Sequence, residues 1–186
     1  RDAAISLDIA ASEFGRDGLY TLALDKRELD RDEKSEMLLR WMDKYPIVSI
    51  EDPFAEDDRV AWIEFNRAAG HRVQIIGDDY LTTNAARISD AKLDDACNAV
   101  LIKVNQAGTL TETKAALDAG KAAGFGTIVS ARSGESEDTA IAHMAVGWNA
   151  GQLKVGSFAR SERMAKWNEV LRIEEALGND AKFAGA

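Results

Sequence analysis

Cysteine is almost missing from this chain: Cys97 stands alone, which excludes an internal disulfide and leaves no partner for thiolate metal ligation. A lone cysteine fits a reducing compartment. Basic charge is also short, with 23 Lys and Arg against 32 Asp and Glu and a net charge of −9, and no basic stripe offsets it. Nucleic acid and an anionic membrane surface are therefore poor partners. No apolar run approaches the ~20 residues needed to span a bilayer. The opening "RDAAISLDIA" has neither the apolar core nor the cleavage pattern of a signal peptide. GxGxxG, P-loop and GxSxG motifs are absent, which weakens nucleotide-binding and serine-hydrolase readings. There is no Pro/Ser-rich linker and no low-complexity tract, so 186 residues with 46% hydrophobic content are expected to form one domain around one substantial core. The first residue is Arg1 rather than methionine, and the chain is expected to start inside something larger.

What the sequence does contain is alternation. Short apolar, β-branched runs alternate with longer amphipathic segments rich in Ala, Leu, Lys and Glu. The expected strands are "AAISLDI", "IVSIED", "QIIGDD", "AVLIKV", "GTIVSA" and "QLKVGS". The expected helices are "RDEKSEMLLRWMDKY", "DRVAWIEFNRAAG", "NAARISDAKLDDA", "LTETKAALDAGKAAG", "DTAIAHMAVGWNAG" and "ARSERMAKWNEVLRIEEALG". "FGRDGLYTLALDKRE" adds a small hairpin. Asn84 and Thr109 stand where N-caps belong, and Gly70, Gly124 and Gly178 mark helix ends. Continuous apolar strands are covered on both faces, as in parallel sheets with crossover helices outside. The fold class is α/β, and the successive βα units predict a TIM-type barrel or a doubly wound sheet. Six units are fewer than the eight of a closed barrel and leave it open.

Several of these runs end in charge. Glu51 and Asp52 close "IVSIED", Asp78 and Asp79 follow "QIIG", Asp8 sits in the first run and Lys103 in "LIKV". Parallel α/β folds place their sites at the C-terminal ends of strands, where these residues fall. Carboxylates converging there repel one another unless a cation intervenes. All-oxygen ligation with room for substrate suits Mg²⁺, held by Asp8, Glu51 and Asp78. The competing reading is helix capping or pairing with lysines, and capping is favoured for Asp52 and Asp79. Lys103, half-buried beside a cation, suits a general base; its alternative is a counter-ion for Glu51 or Asp78. Lys154 at the end of the last strand reads as charge balance. Arg132, Ser133 and Gly134 in "SARSGESED" suit an anion such as phosphate, or form a solvated turn. His71, His143 and Cys97 read as structural, the four tryptophans as packing, and "RDEK" and "ESED" as solvated helix starts.

The stretches "LDIAASEF", "SIEDPFAEDD", "GDDYLTTN", "LIKVNQAGTLTET", "RSGESEDT" and "ARSERMAKWNEVLRIEEALG" together resemble the C-terminal barrel of the enolase family over nearly the whole chain. The resemblance implies a lyase of glycolysis that dehydrates 2-phosphoglycerate, a small phosphorylated acid, to phosphoenolpyruvate with Mg²⁺, in a cytoplasmic homodimer or larger ring. It implies magnesium ligands at Asp8, Glu51 and Asp78, a base at Lys103 that removes the proton α to the carboxylate, phosphate contacts at Arg132 and Ser133, and a lysine near the substrate carboxylate at Lys154. A Lys or His base with Mg²⁺ is the established pattern of enolase-superfamily sites. Two features depart from it. Ala131 stands where the family has a histidine, which suggests a related dehydratase acting on another hydroxy acid, or a non-catalytic paralogue kept for binding or structure. The family's N-terminal domain, first two barrel units and general-acid glutamates are not in the sequence, so these residues alone are expected to be inactive. "GSFARSER" also differs slightly from the family's usual small-Pro-Ala pattern.

Overall fold

The computed structural model describes residues 3–185. Each expected strand is present, trimmed at its ends: β1 Ile5–Asp8, β5 Ile47–Glu51, β6 Gln74–Gly77, β7 Ala99–Lys103, β8 Gly126–Ser130 and β9 Gly151–Lys154. All pair parallel, in the order β1-β5-β6-β7-β8-β9. That order never reverses. A doubly wound sheet would reverse at a switch point, so the arrangement is a curled, partial TIM barrel.

Alternation along the strands separates two apolar regions. Ile50, Ile75, Val100, Ile102 and Val129 point outward into a large core under the helices, while Ile76, Ala99, Leu101 and Ile128 form a small cluster inside the curl. The central strands β6, β7 and β8 read as unbroken apolar runs because both faces are buried, whereas the edge strands β1 and β9 are exposed or half-buried, contrary to the expectation that every strand is covered on both sides.

The helices follow from caps and apolar faces. α1, Arg31–Lys44, opens on a capping box in which Asp30 accepts from the Glu33 N–H at 2.9 Å and Glu33 accepts from the Asp30 N–H at 3.1 Å. α2, Arg59–Ala69, buries Trp62 and Phe65 completely, and Trp62 stacks on Tyr80 with ring centroids 4.4 Å apart. α3, Ala85–Asp94, and α5, Leu110–Ala122, start on Asn84 and Thr109, whose side chains accept from backbone N–H groups of their first turns. α4, Val104–Ala107, is a single unanticipated turn. α6 runs Ala140–Gly147, shorter at both ends than expected, and α7 runs Ser161–Leu177.

Two expectations change. The hairpin is a three-stranded antiparallel sheet, β2 Gly15–Arg16, β3 Leu19–Leu22 and β4 Arg27–Asp30, because Thr21 N–H also bonds back to the Phe14 carbonyl and Leu19 pairs with both neighbouring strands. "RDEK" is not wholly solvated. Lys34 is only 1% exposed, because it lies four residues before Leu38 and eight before Met42 on the buried face of α1. Among the described residues no helix is long and apolar enough to cross a membrane.

Candidate active site

Parallel pairing sets the rim. Asp8 is the register partner of Glu51, and on the other side Lys103 pairs with Ser130 and Ser130 with Lys154. Side-chain alternation points these residues to the inside of the curl. Acids therefore occupy one arc of the rim and lysines the other.

Curling brings the arcs together. Lys154 Nζ donates to Asp8 Oδ2 at 2.8 Å and to Glu51 Oε2 at 2.7 Å, joining the first and last strands of the sheet. Burial disfavours the Lys154 charge, but the charge of Glu51 and its hydrogen bonds to both acids outweigh that and raise its pKa above the ordinary lysine value. Glu51, 3% exposed, is pushed up by burial and by the charges of Asp8 and Asp78, while Lys154 pulls it down. Asp8 is exposed. Beneath them a cavity of about 390 Å³ opens into the barrel interior, bordered by Asp8, Glu51 and Lys154 and floored by Ile76, Leu101 and Ile128.

Asp78 is held separately. Lys103 Nζ donates to its Oδ2 at 2.5 Å and Gln106 Nε2 to its Oδ1 at 3.2 Å. Lys103 is 8% exposed and serves here as the counter-ion of Asp78, the alternative that the sequence left open. Thr83 completes the network: its hydroxyl accepts from the Lys103 N–H at 3.0 Å and bonds Gln106 Oε1 at 2.5 Å. Thr82 and Thr83 both hold positive φ, 48° and 49°, a costly conformation for β-branched residues. Gly77 precedes Asp78 because a Cβ there would lie 2.7 Å from the Leu81 side chain.

Asp52 is scaffold. Its two carboxylate oxygens accept the backbone N–H groups of Asp78 (3.0 Å) and Asp79 (2.9 Å), fixing the turn that presents Asp78. Burial pushes its carboxyl up to about 7 against those two donors, and the charges of Asp78 and Asp79 add to the rise. Among the described residues, Asp52, Asp78 and Asp79 have carboxylate oxygens mutually within 4.8 Å. Asp52 is committed to backbone donors, however, so the trio is a poor ligand set.

Asp8 and Glu51 gather around Lys154 and Asp78 around Lys103, so the three acids read from the sequence as magnesium ligands stand in two separate ion-paired groups. Asp8 and Glu51 already converge on one point of positive charge, the Lys154 ammonium. Their donors are all oxygens, the set a hard dication takes. Binding needs Lys154 to yield its hydrogen bonds to Asp8 and Glu51.

Arg132 and Ser133 are exposed on the loop after β8, and among the described residues neither side chain bonds to the acids. The loop is tied at the Arg132 N–H, which donates to Asn105 Oδ1 at 3.2 Å, and at the Ser136 carbonyl, which accepts from buried Lys166. Sequence reasoning missed Thr83, Gln106 and Lys166. The first two lie inside the quoted "GDDYLTTN" and "KVNQ" stretches, and that was their only signal. His143 is exposed and bonds Glu169 at 2.9 Å, and burial pushes the Cys97 thiol up to about 12, so both are structural. Residues 1–186 match the family model described as enolase, C-terminal TIM barrel domain.

Proposed function

The chain belongs to the enolase C-terminal TIM barrel family, and from that premise we propose that it carries the base, metal and substrate contacts of an enolase. The reaction is the Mg²⁺-dependent dehydration of 2-phosphoglycerate to phosphoenolpyruvate. One observation carries this reading: Asp8, Glu51, Asp78, Lys103 and Lys154 lie at the rim of one curled sheet, in two charge-paired groups, Lys154 with Asp8 and Glu51 and Lys103 with Asp78.

Asp8, Glu51 and Asp78 would hold the metal, which when bound supplies electrostatic stabilisation of the negative charge that builds on the substrate carboxylate. Lys103 takes the proton α to that carboxylate; the C–H electron pair moves toward the carboxylate and then expels the β-hydroxyl, which leaves as water on receiving a proton from the general-acid glutamates that the enolase family carries outside residues 1–186. For the proton abstraction Lys103 must present a free lone pair, and as a neutral amine it can still donate an N–H to Asp78. Lys154, having yielded its bonds to Asp8 and Glu51, faces the substrate carboxylate as a cation. Arg132 and Ser133, free of other side-chain partners among the described residues, take the phosphate.

The test is exchange of the α-hydrogen of 2-phosphoglycerate with deuterated water in the complete gene product. Wild type should exchange it. Lys103→Ala should lose roughly 10²–10⁴-fold. Exchange that survives the substitution would remove Lys103 from the role.

A second reading draws on Ala131. It stands where the resembling family has a histidine, and the smaller side chain would suit a different hydroxy acid. Ala131→His should then raise turnover of 2-phosphoglycerate. An unchanged rate would count against this reading.

A further inference from the structure

Lys34 is the least expected side chain of the molecule. It is 1% exposed, and its Nζ is buried without a hydrogen-bond partner. Three rings surround the amine: Tyr20 at 3.8 Å, Phe14 at 4.5 Å and Phe54 at 5.4 Å from nitrogen to centroid. Phe14 lies on the segment that follows Asp8, and Phe54 on the loop that follows Glu51 and Asp52. Tyr20 bridges the two, with ring centroids 6.3 Å from Phe14 and 5.8 Å from Phe54. Its hydroxyl accepts from the Ala55 N–H at 3.2 Å and donates to Asp58 at 2.9 Å. Backbone bonds run alongside, Ile9 N–H to the Glu51 carbonyl at 2.9 Å and Ala11 N–H to the Asp52 carbonyl at 3.2 Å. The cage is therefore where the two loops are locked together.

We propose that Lys34 is a positioning residue whose uncharged amine lets Phe14, Tyr20 and Phe54 close and lock the Asp8 loop to the Glu51 loop, and whose protonation loosens that lock. That these loops carry metal ligands rests on the function proposed above; the lock itself does not.

The physical argument is desolvation. An ammonium has three N–H donors, and ring faces attract its charge without satisfying those donors as oxygen acceptors do. The charged and titratable groups facing it are Asp58, Arg31 and Tyr20. Asp58 is already paired with Arg31 at 3.2 Å and accepts the Tyr20 hydroxyl, so it is a weak counter-ion for Lys34. Burial pulls the amine down from its ordinary 10.5 to about 7, with Asp58 opposing. Opening the cage hydrates the cation, and acid favours the open form.

Amide hydrogen exchange of Ala11 and Ala55, corrected for the intrinsic pH dependence of exchange, reads the lock. Between pH 8 and pH 6 the protonated fraction of an amine with a pKa of about 7 rises about tenfold, and lock-opening exchange should rise about tenfold with it. Lys34→Met should show no such rise, and Lys34→Arg, permanently charged, should exchange fast at both pH values. Asp52 titrates in the same range in wild type and Lys34→Met, and cancels in their comparison. The proposal is overturned by an equal rise in wild type and Lys34→Met, or by a Lys34 ¹³Cε resonance that titrates at the ordinary lysine value. Both measurements stand if Lys34→Arg does not fold. Calorimetric titration with Mg²⁺ alone on the same samples separates the two ideas: no binding by either protein sinks the proposed function, while amide exchange still decides the lock.

Discussion

Replacing Lys34 by methionine should stabilise the protein, although it removes a charge from a helix and touches no recognised site. The linkage fixes both sign and size. The folded pKa is depressed, from 10.5 to about 7, so between those values the unfolded chain binds more protons than the folded one, and wild-type stability rises with pH. Below pH 7 the full penalty of burying the amine is present; it shrinks as pH climbs toward 10.5. At 1.36 kcal/mol for each pH unit separating the two pKa values, the penalty is about 4 kcal/mol at pH 7 and about 2 kcal/mol at pH 9. The ring faces at 3.8 and 4.5 Å offset roughly 0.5–2 kcal/mol while the amine is charged. Methionine keeps the apolar stem and fills the cage without a proton to lose. The expected gain at pH 7 is about 2–3 kcal/mol, or roughly 4–12 °C in Tm for a chain of this size. Urea unfolding followed by circular dichroism at pH 6, 7 and 9 measures it. A destabilised Lys34→Met, or a gain that does not shrink by pH 9, would refute the reasoning.

Three further predictions follow from particular contacts. Asp52→Ala orphans the buried N–H groups of Asp78 and Asp79 and should cost about 2–5 kcal/mol in urea unfolding, with Asp52→Asn costing less because it keeps one acceptor. Asp30→Ala breaks the α1 capping box and should cost about 1 kcal/mol by the same assay. Mg²⁺ at 100 times its Kd should raise stability by about 2.7 kcal/mol in wild type, and Glu51→Gln should show little of that rise in a melting experiment.

Much of the fold was legible because its periodicities are strong. Each of the six sheet strands is an apolar run bounded by charge or glycine, and Asn84 and Thr109 cap helices where their side chains allow. Barrel and doubly wound sheet share that local pattern, and only the strand order separates them. The acids and lysines of the rim were legible for a similar reason: charge at the end of a buried run is conspicuous.

Their pairing was not legible. Lys154 is 146 residues from Asp8, and no local signal says that the sheet curls enough for them to meet. Thr83 and Gln106 escaped because a neutral hydroxyl and a neutral amide in a loop look like surface until a buried aspartate is found beside them. Lys34 escaped for the opposite reason. The charged run "RDEK" hid a position that helical spacing from Leu38 and Met42 places on the buried face.

The most direct measurement is phosphoenolpyruvate formation from 2-phosphoglycerate by the complete gene product, with and without Mg²⁺, beside Lys103→Ala. The account predicts turnover that requires Mg²⁺ and is lost in Lys103→Ala. No turnover by a folded protein that binds Mg²⁺, or turnover that Lys103→Ala retains, would contradict it.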